Sequence, residues 1–166
     1  EYIRAAGIFA GPLREAIHKF KYQDKPFLAY DLAEFMHQQL QDKIDWEAVN
    51  YLIPVPLHAS NSWKRGYNQS SLIAHQLGRM KQKPVLDKVL FRRQKTKPQA
   101  SLKKEDRLTN LRHAFIVKDG VDLLAGQRVL LIDDVCTTAS TIESCSRVLK
   151  AAQADCVWGA TIAHGV

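Results

Sequence analysis

The chain has 166 residues, a length that suits one domain and is short for two. Hydrophobic residues make up 46% of it and charged residues 25%, an ordinary globular composition that excludes wholesale disorder and a collagen-like repeat. Its apolar runs fall far short of the roughly 18 residues that cross a bilayer. The formal net charge of +7 suggests an anionic partner without identifying it.

Most of this positive charge lies in one segment. Residues 79–112 hold twelve Lys/Arg and three Asp/Glu, a net charge of +9, whereas the other 132 residues sum to −2. A basic surface spread over the whole domain is therefore not expected. The anionic partner is expected to meet this segment.

The first third of the chain has the apolar spacing of helices. One predicted helix begins at Pro12, and a second covers about 27–41. Residues 51–53 then predict a short buried strand, which ends at Pro54 and Pro56 because proline cannot continue a central ladder.

The rest of the chain alternates strands and helices. Asn68 is a plausible N-cap for the next helix. Further strands are predicted over 85–91, 114–117, 128–132 and 156–162, and a helix over 138–151. This order predicts an α/β class with a mainly parallel sheet flanked by helices. We expect a single domain at 1–166, with a helical segment at 1–48 and an α/β core at 49–166.

The cysteines and histidines give no metal-binding pattern. Cys136, Cys145 and Cys156 are odd in number, lack C-x-x-C spacing and stand among small or apolar residues, which is typical of reduced thiols in a cytoplasmic protein. The histidines form no H-x₃-H or H-E-x-x-H pair, so we expect no zinc site. Because the chain begins at Glu1 and not at Met, we expect a missing N-terminal part.

The segment 129–141 is the most informative part of the sequence. Four apolar residues precede Asp133 and Asp134, and a run of small and hydroxylated residues then leads into the predicted helix. Ligands of open α/β sheets bind beyond the carboxyl ends of the strands. Carboxylates accept hydrogen bonds from a sugar diol or ligate hydrated Mg²⁺, and a loop-to-helix junction suits a phosphate. Together these features indicate a phosphorylated sugar.

The parts of this segment also have other interpretations. Two acids after a strand can be a polar loop, and Thr-Thr can be a helix cap. A Walker B strand would need a G-x-x-x-x-G-K-[ST] loop, but the chain contains no Gly-Lys pair. A G-x-G-x-x-G dinucleotide fingerprint is also absent.

Three motifs in order carry a family resemblance. Residues 129–141 resemble the phosphoribosyl pyrophosphate (PRPP) signature of type I phosphoribosyltransferases, while 51–69 and 92–115 resemble the ComF/GntX branch of that superfamily. Two residues depart from the signature: Ala139 stands where the family usually has Gly, and Cys136 stands at an apolar or aromatic position. The cysteine-rich, zinc-binding module that commonly begins family members is absent from this chain.

The resemblance implies a type I phosphoribosyltransferase fold whose segment 1–48 is a hood, and it assigns site residues. Asp133 and Asp134 would bind the ribose hydroxyls, with Mg²⁺ nearby. The 5′-phosphate would lie against Thr137, Thr138, Ala139, Ser140 and Thr141. A pyrophosphate loop would include Leu57, His58, Arg65 and Gly66, and a flexible catalytic loop would include Arg92, Arg93, Lys95, Lys97 and Arg107.

The function that the resemblance implies is transfer of phosphoribose from PRPP to an unidentified acceptor, with Mg²⁺ as cofactor and release of pyrophosphate. Two alternatives stay open. The protein could be a DNA-uptake accessory protein of natural competence that binds single-stranded DNA through residues 79–112. It could also be a PRPP sensor without turnover.

Overall fold

A computed structural model describes residues 2–57, 66–93, 114–118 and 121–165. The chain alternates strands and helices, as the sequence predicts. In chain order the elements are β1 (Ile3–Ile8), α1 (Gly11–Tyr22), α2 (Leu28–Leu40), β2 (Tyr51–Pro54), α3 (Gln69–Lys81), β3 (Leu90–Arg92), β4 (Phe115–Val117), a 3₁₀ turn (Val121–Leu123), β5 (Arg128–Cys136), α4 (Ser140–Ala151) and β6 (Cys156–His164).

Four strands form one parallel sheet in the spatial order β1-β6-β5-β2. β3 and β4 form a separate antiparallel ribbon. The mainly parallel α/β fold with flanking helices is therefore confirmed. Among the described residues, no helix combines the length and the apolar character that a membrane crossing requires.

The strand β5 is buried on both faces, as its unbroken apolar run predicts. Leu130 and Ile132 belong to a core cluster shared with α1, α2 and α3. Val129 and Leu131 belong to a second cluster shared with α4 and the β3–β4 ribbon. β5 therefore contributes to the hydrophobic core on both faces of the sheet, as expected for a strand of a parallel sheet covered by helices.

The N-terminal segment differs from its prediction, because it contributes a strand as well as helices. β1 pairs with β6 in parallel register, with Ile3 opposite Gly159. It is an edge strand with small residues only at its centre, 5–7, and with an exposed Arg4, so neither apolar alternation nor a continuous β-branched run marks it clearly. The use of segment 1–48 as a hood stays a prediction.

The predicted strand over 85–91 is wrong in extent. Val85 forms one isolated parallel bridge with Leu52, and β3 begins only at Leu90. A turn separates the two, because the chain leaves the edge of the main sheet after Leu86 has donated its N–H to the Leu52 carbonyl. The predicted N-cap is confirmed, since the Asn68 side chain accepts from the N–H of Ser70.

Truncation of a core side chain in β5 should destabilise the domain. Leu131 is 0% exposed, whereas Leu123 is 50% exposed in the 3₁₀ turn. We expect Leu131→Ala to lower the free energy of unfolding by about 2–5 kcal/mol, because it removes buried methyl groups and leaves a cavity. Leu123→Ala is the matched control and should cost less than about 1 kcal/mol. Urea unfolding measures both, and equal losses would contradict the two-sided burial of β5.

Candidate functional site

The candidate site lies where the central sheet loses one strand. β2 ends at Pro54, opposite Ile132, while β5 continues to Cys136 alongside β6. Beyond Ile132, β5 therefore has a paired strand on one side only among the described residues. Asp133 and Asp134 occupy this stretch, at the carboxyl edge where open α/β sheets bind their ligands.

Asp133 is held by donors from two elements. Its Oδ1 accepts from the Ser70 hydroxyl at 3.0 Å and from the backbone N–H of Asp134 at 2.9 Å. Ser70 is placed by the N-cap of α3, because the Asn68 side chain accepts its N–H at 3.1 Å. Asn68 also donates from Nδ2 to the carbonyl of Val55 at 3.1 Å. The start of α3 is thereby tied to the end of β2 and to the first acid.

Asp134 is paired with a residue of the N-terminal helix. The Lys21 ammonium lies 2.8 Å from Asp134 Oδ1, and the two side chains are only 19% and 11% exposed. The neighbouring Phe20 is fully buried in the core, and its carbonyl accepts from the Tyr67 hydroxyl. The last turn of α1 is thus fixed over the second acid.

The environment of Asp133 disfavours its ionised form. Burial raises the pKa of this carboxyl to about 7, and the adjacent Asp134 carboxylate adds to the rise. The hydrogen bonds from the Asp134 N–H and from Ser70, together with the charge of Lys21, oppose it. Asp133 can therefore exchange a proton near neutral pH.

The start of α4 is open to an anion. Thr137 and Thr138 are exposed, and Ala139, the N-cap residue, makes no side-chain capping bond. The α4 N–H groups therefore lack the acceptor that Asn68 gives to α3, and such groups suit a phosphate. The hydroxyls of Thr138 and Ser140 lie 3.2 Å apart at this junction.

The two departures from the family signature cause no visible conflict with this arrangement. Ala139 has φ −63°, outside the left-handed region that favours glycine, so the alanine adds no backbone strain. Cys136 is buried, and its carbonyl accepts from the Gly165 N–H and from His164 Nδ1. Burial raises the pKa of the Cys136 thiol, which makes it a poor nucleophile.

All three cysteines are free. Among the residues that the structure describes, no three His, Cys, Asp or Glu side chains come together as a metal site.

The predicted loop residues are only partly described. Leu57 is half-buried, and Gly66 has φ +74°, a conformation that suits glycine. Arg93 donates its N–H to the Ala114 carbonyl, and the Arg92 guanidinium lies 5.4 Å from the Phe115 ring centroid. His58, Arg65, Lys95, Lys97 and Arg107 lie outside the described residues. No contact between described residues joins Arg92 or Arg93 to the two acids.

Two residues of the site were not predicted from the sequence. Ser70 lies two residues after the N-cap Asn68, in the first turn of α3. Serine is common at the start of a helix, so its presence there does not indicate a contact with Asp133. Lys21 lies four residues after the buried Ile17, so a lysine faces inward on α1. A lysine on the buried face of a helix indicates an acidic partner, but the sequence does not show which acid that is.

The chain is similar to several known proteins. The Phosphoribosyl transferase domain family matches residues 64–165. Competence protein F of Haemophilus influenzae is 33% identical over 147 residues, which are 87% of this chain and 64% of that protein. The DNA utilization protein YhgH of Escherichia coli K12 is 30% identical over 152 residues, covering 85% of this chain and 62% of that protein. The chain therefore spans less than two thirds of the length of these relatives.

A solved structure supports the same fold. The glutamine PRPP amidotransferase of B. subtilis, complexed with ADP and GMP, matches with a TM-score of 0.57 at 14% identity, over 87% of this chain and 30% of that one. The fold is thus of the type I phosphoribosyltransferase class. The chain belongs to the Phosphoribosyl transferase domain family, and its competence and DNA-utilization relatives place it in the ComF branch.

The raised pKa of Asp133 predicts a pH-dependent cost to stability. The folded state holds this proton up to about pH 7, whereas an unfolded aspartate loses it near pH 4. The contribution of Asp133 therefore favours folding at low pH and is lost as the pH rises towards 7. We expect Asp133→Asn, whose amide oxygen can still accept both hydrogen bonds, to raise the Tm at pH 8 by at least about 2 °C. The gain should shrink at pH 4.5.

The control for this measurement is Asp122→Asn, which removes an exposed carboxyl from the 3₁₀ turn. Thermal unfolding of the three proteins at both pH values is compared. A gain for Asp133→Asn that is the same at pH 4.5 and pH 8 would contradict the raised pKa of Asp133.

Proposed function

We propose that this domain binds PRPP with Mg²⁺ and transfers its phosphoribosyl group to an acceptor, releasing pyrophosphate. The observation that carries the proposal is one juxtaposition. Two carboxylates stand at the open edge of the sheet, and the chain runs from them directly into a helix whose first N–H groups lack a side-chain cap. An acid pair for a diol beside a cradle for an anion suits a ribose 5-phosphate.

In this proposal the acids bind the sugar and residues 137–141 bind its 5′-phosphate. One oxygen of each carboxylate is already used, since Oδ1 of Asp133 accepts two hydrogen bonds and Oδ1 of Asp134 pairs with Lys21. The Oδ2 atoms have no partner among the described residues. They are left to accept from the ribose 2- and 3-hydroxyls.

The same oxygens fit Mg²⁺. This ion is commonly held by one or two carboxylates, with waters and substrate oxygens completing its shell, so two acids without a third ligand suffice. Asp133 and Asp134 would hold it, and it would neutralise charge on the pyrophosphate that leaves.

The reaction breaks the bond between C1 of the ribose and the pyrophosphate oxygen, and the acceptor forms a new bond to C1. Positive charge develops on the ring, as in glycoside cleavage. The bond electrons leave with pyrophosphate, whose negative charge needs cations. The residues proposed to supply them or to cover the site are Leu57, His58, Arg65 and Gly66 of one loop and Arg92, Arg93, Lys95, Lys97 and Arg107 of the other. We place the protein in the cytoplasm, because its three free cysteines suit a reducing compartment.

Ligand binding tests the proposal. Calorimetry with PRPP and Mg²⁺ should show binding to the wild type. Replacing both Asp133 and Asp134 by Asn should weaken it at least about tenfold, because hydrogen bonds to charged acceptors are lost. Asp122→Asn is the matched control and should bind as the wild type does. No binding by the wild type would refute the proposal.

Release of pyrophosphate separates an enzyme from a sensor. The acceptor is unidentified, so PRPP hydrolysis is followed first and a panel of nucleobases second. An enzyme should release pyrophosphate faster than PRPP decays alone. Binding without any such release favours the sensor over the transferase.

A second candidate function is binding of single-stranded DNA. It is favoured by the names of the relatives, a competence protein and a DNA utilization protein, together with the net charge of +9 at residues 79–112. On the β3–β4 ribbon two cations lie over aromatic rings, Arg92 over Phe115 and Lys118 over Phe91. Positive charge that follows the phosphate backbone is common in proteins that bind single strands.

This second function predicts a salt-dependent affinity for an unstructured oligonucleotide. Replacing Arg92, Arg93, Lys95 and Lys97 together by Gln should lower the affinity and flatten its dependence on salt, because fewer counterions are released. Four Gln substitutions at Lys19, Lys25, Lys43 and Lys150 remove the same charge outside segment 79–112. Fluorescence anisotropy between 50 and 200 mM salt compares them. An unchanged affinity in the first variant would exclude this function.

A further inference from the structure

We propose that Lys21 is the resident counter-ion of the acid pair, and that α1 is therefore a part of the ligand site. This inference rests on the proposed function, because it assigns a role in PRPP binding to a residue outside the signature segment 129–141. Nothing in that segment points to Lys21, which is 112 residues before Asp133 in the chain.

The geometry that carries the proposal is a charged contact away from bulk water. Lys21 Nζ lies 2.8 Å from Asp134 Oδ1, and both side chains are more than four-fifths buried. Exposed ion pairs contribute little, but removing one partner of a buried pair leaves an uncompensated charge at high cost. Lys21 is thus the group that compensates the Asp134 carboxylate and holds it in place.

The position of Lys21 is fixed by its neighbours on α1. Ile17 and Phe20 are fully buried in the core, and the Tyr67 hydroxyl donates to the Phe20 carbonyl. Tyr67 directly precedes Asn68 and the start of α3, which supplies Ser70 to the other acid. One short segment, 67–70, therefore supports Asp133 directly and Asp134 through α1 and Lys21.

The charge balance explains why such a residue would matter for this ligand. PRPP carries several negative charges, and two adjacent carboxylates repel it. Lys21 cancels one of them within the protein, so that the remaining acceptor oxygens can bind hydroxyls of an anionic sugar. A lysine that served only to attach α1 would stabilise the fold without changing affinity for PRPP.

Calorimetry with PRPP and Mg²⁺ on Lys21 variants tests the proposal. Lys21→Met keeps the length of the side chain without its charge and should weaken binding at least about tenfold, the size expected when a charged partner is lost. Lys21→Arg keeps the charge and should stay within about threefold of the wild type. Lys43→Met, which removes an exposed ammonium between α2 and β2, should bind as the wild type does.

A stability cycle without ligand tests the contact itself. Lys21→Met should lower the Tm of the wild type by at least about 3 °C and should lower that of Asp134→Asn much less, because the carboxylate to be compensated is gone. Equal losses in both backgrounds would show that the ion pair does not act as described, and would overturn the proposal.

The outcomes separate this inference from the proposed function. If the wild type binds PRPP and Lys21→Met binds equally well, the role of Lys21 is overturned and the proposed function stands. If Lys21→Arg loses as much affinity for PRPP as Lys21→Met does, the proposal that Lys21 acts through its positive charge is overturned. If the wild type does not bind PRPP, the proposed function falls and the ligand role of Lys21 falls with it.

Discussion

The burial of two adjacent acids, Asp133 and Asp134, is the constraint on which the arrangement of the site depends. Two adjacent carboxylates at the end of a buried strand are costly, and burial together with the second charge raises the pKa of Asp133. Three contacts offset this cost: the Ser70 hydroxyl, the Asp134 N–H and the Lys21 ammonium. Because they come from α3, β5 and α1, the acid pair brings together elements far apart in the chain. Such local cost is expected where a site is built for a ligand.

The sheet supplies the space that this pair needs. Had β2 continued beyond Pro54, it would have paired with β5 beside the acids and closed the edge. Pro54 and Pro56 prevent that, because a proline offers no N–H to a ladder. On the other side β6 runs on to His164 and keeps β5 in place up to Cys136. The site is thus an edge that is rigid on one side and open on the other.

The features of the fold and the site that depend on a few neighbouring residues were predictable from the sequence, whereas those that depend on contacts between distant residues were not. The two-sided burial of β5, the acids at its end and the Asn68 cap all follow from composition over a few residues. β1 was missed because this edge strand, with small residues at its centre, is specified by its partner β6 at the other end of the chain. Ser70 and Lys21 were missed because their roles are contacts across 63 and 113 positions of sequence. Only the fold brings such residues together.

A crystal structure of the protein with PRPP and Mg²⁺ bound would show directly whether the acid pair holds the sugar. The ribose hydroxyls should lie at the carboxylates of Asp133 and Asp134, the 5′-phosphate should lie against residues 137–141, and Lys21 should remain beside Asp134. Density for the phosphoribosyl group at any other place, with the acid pair free of ligand, would contradict it.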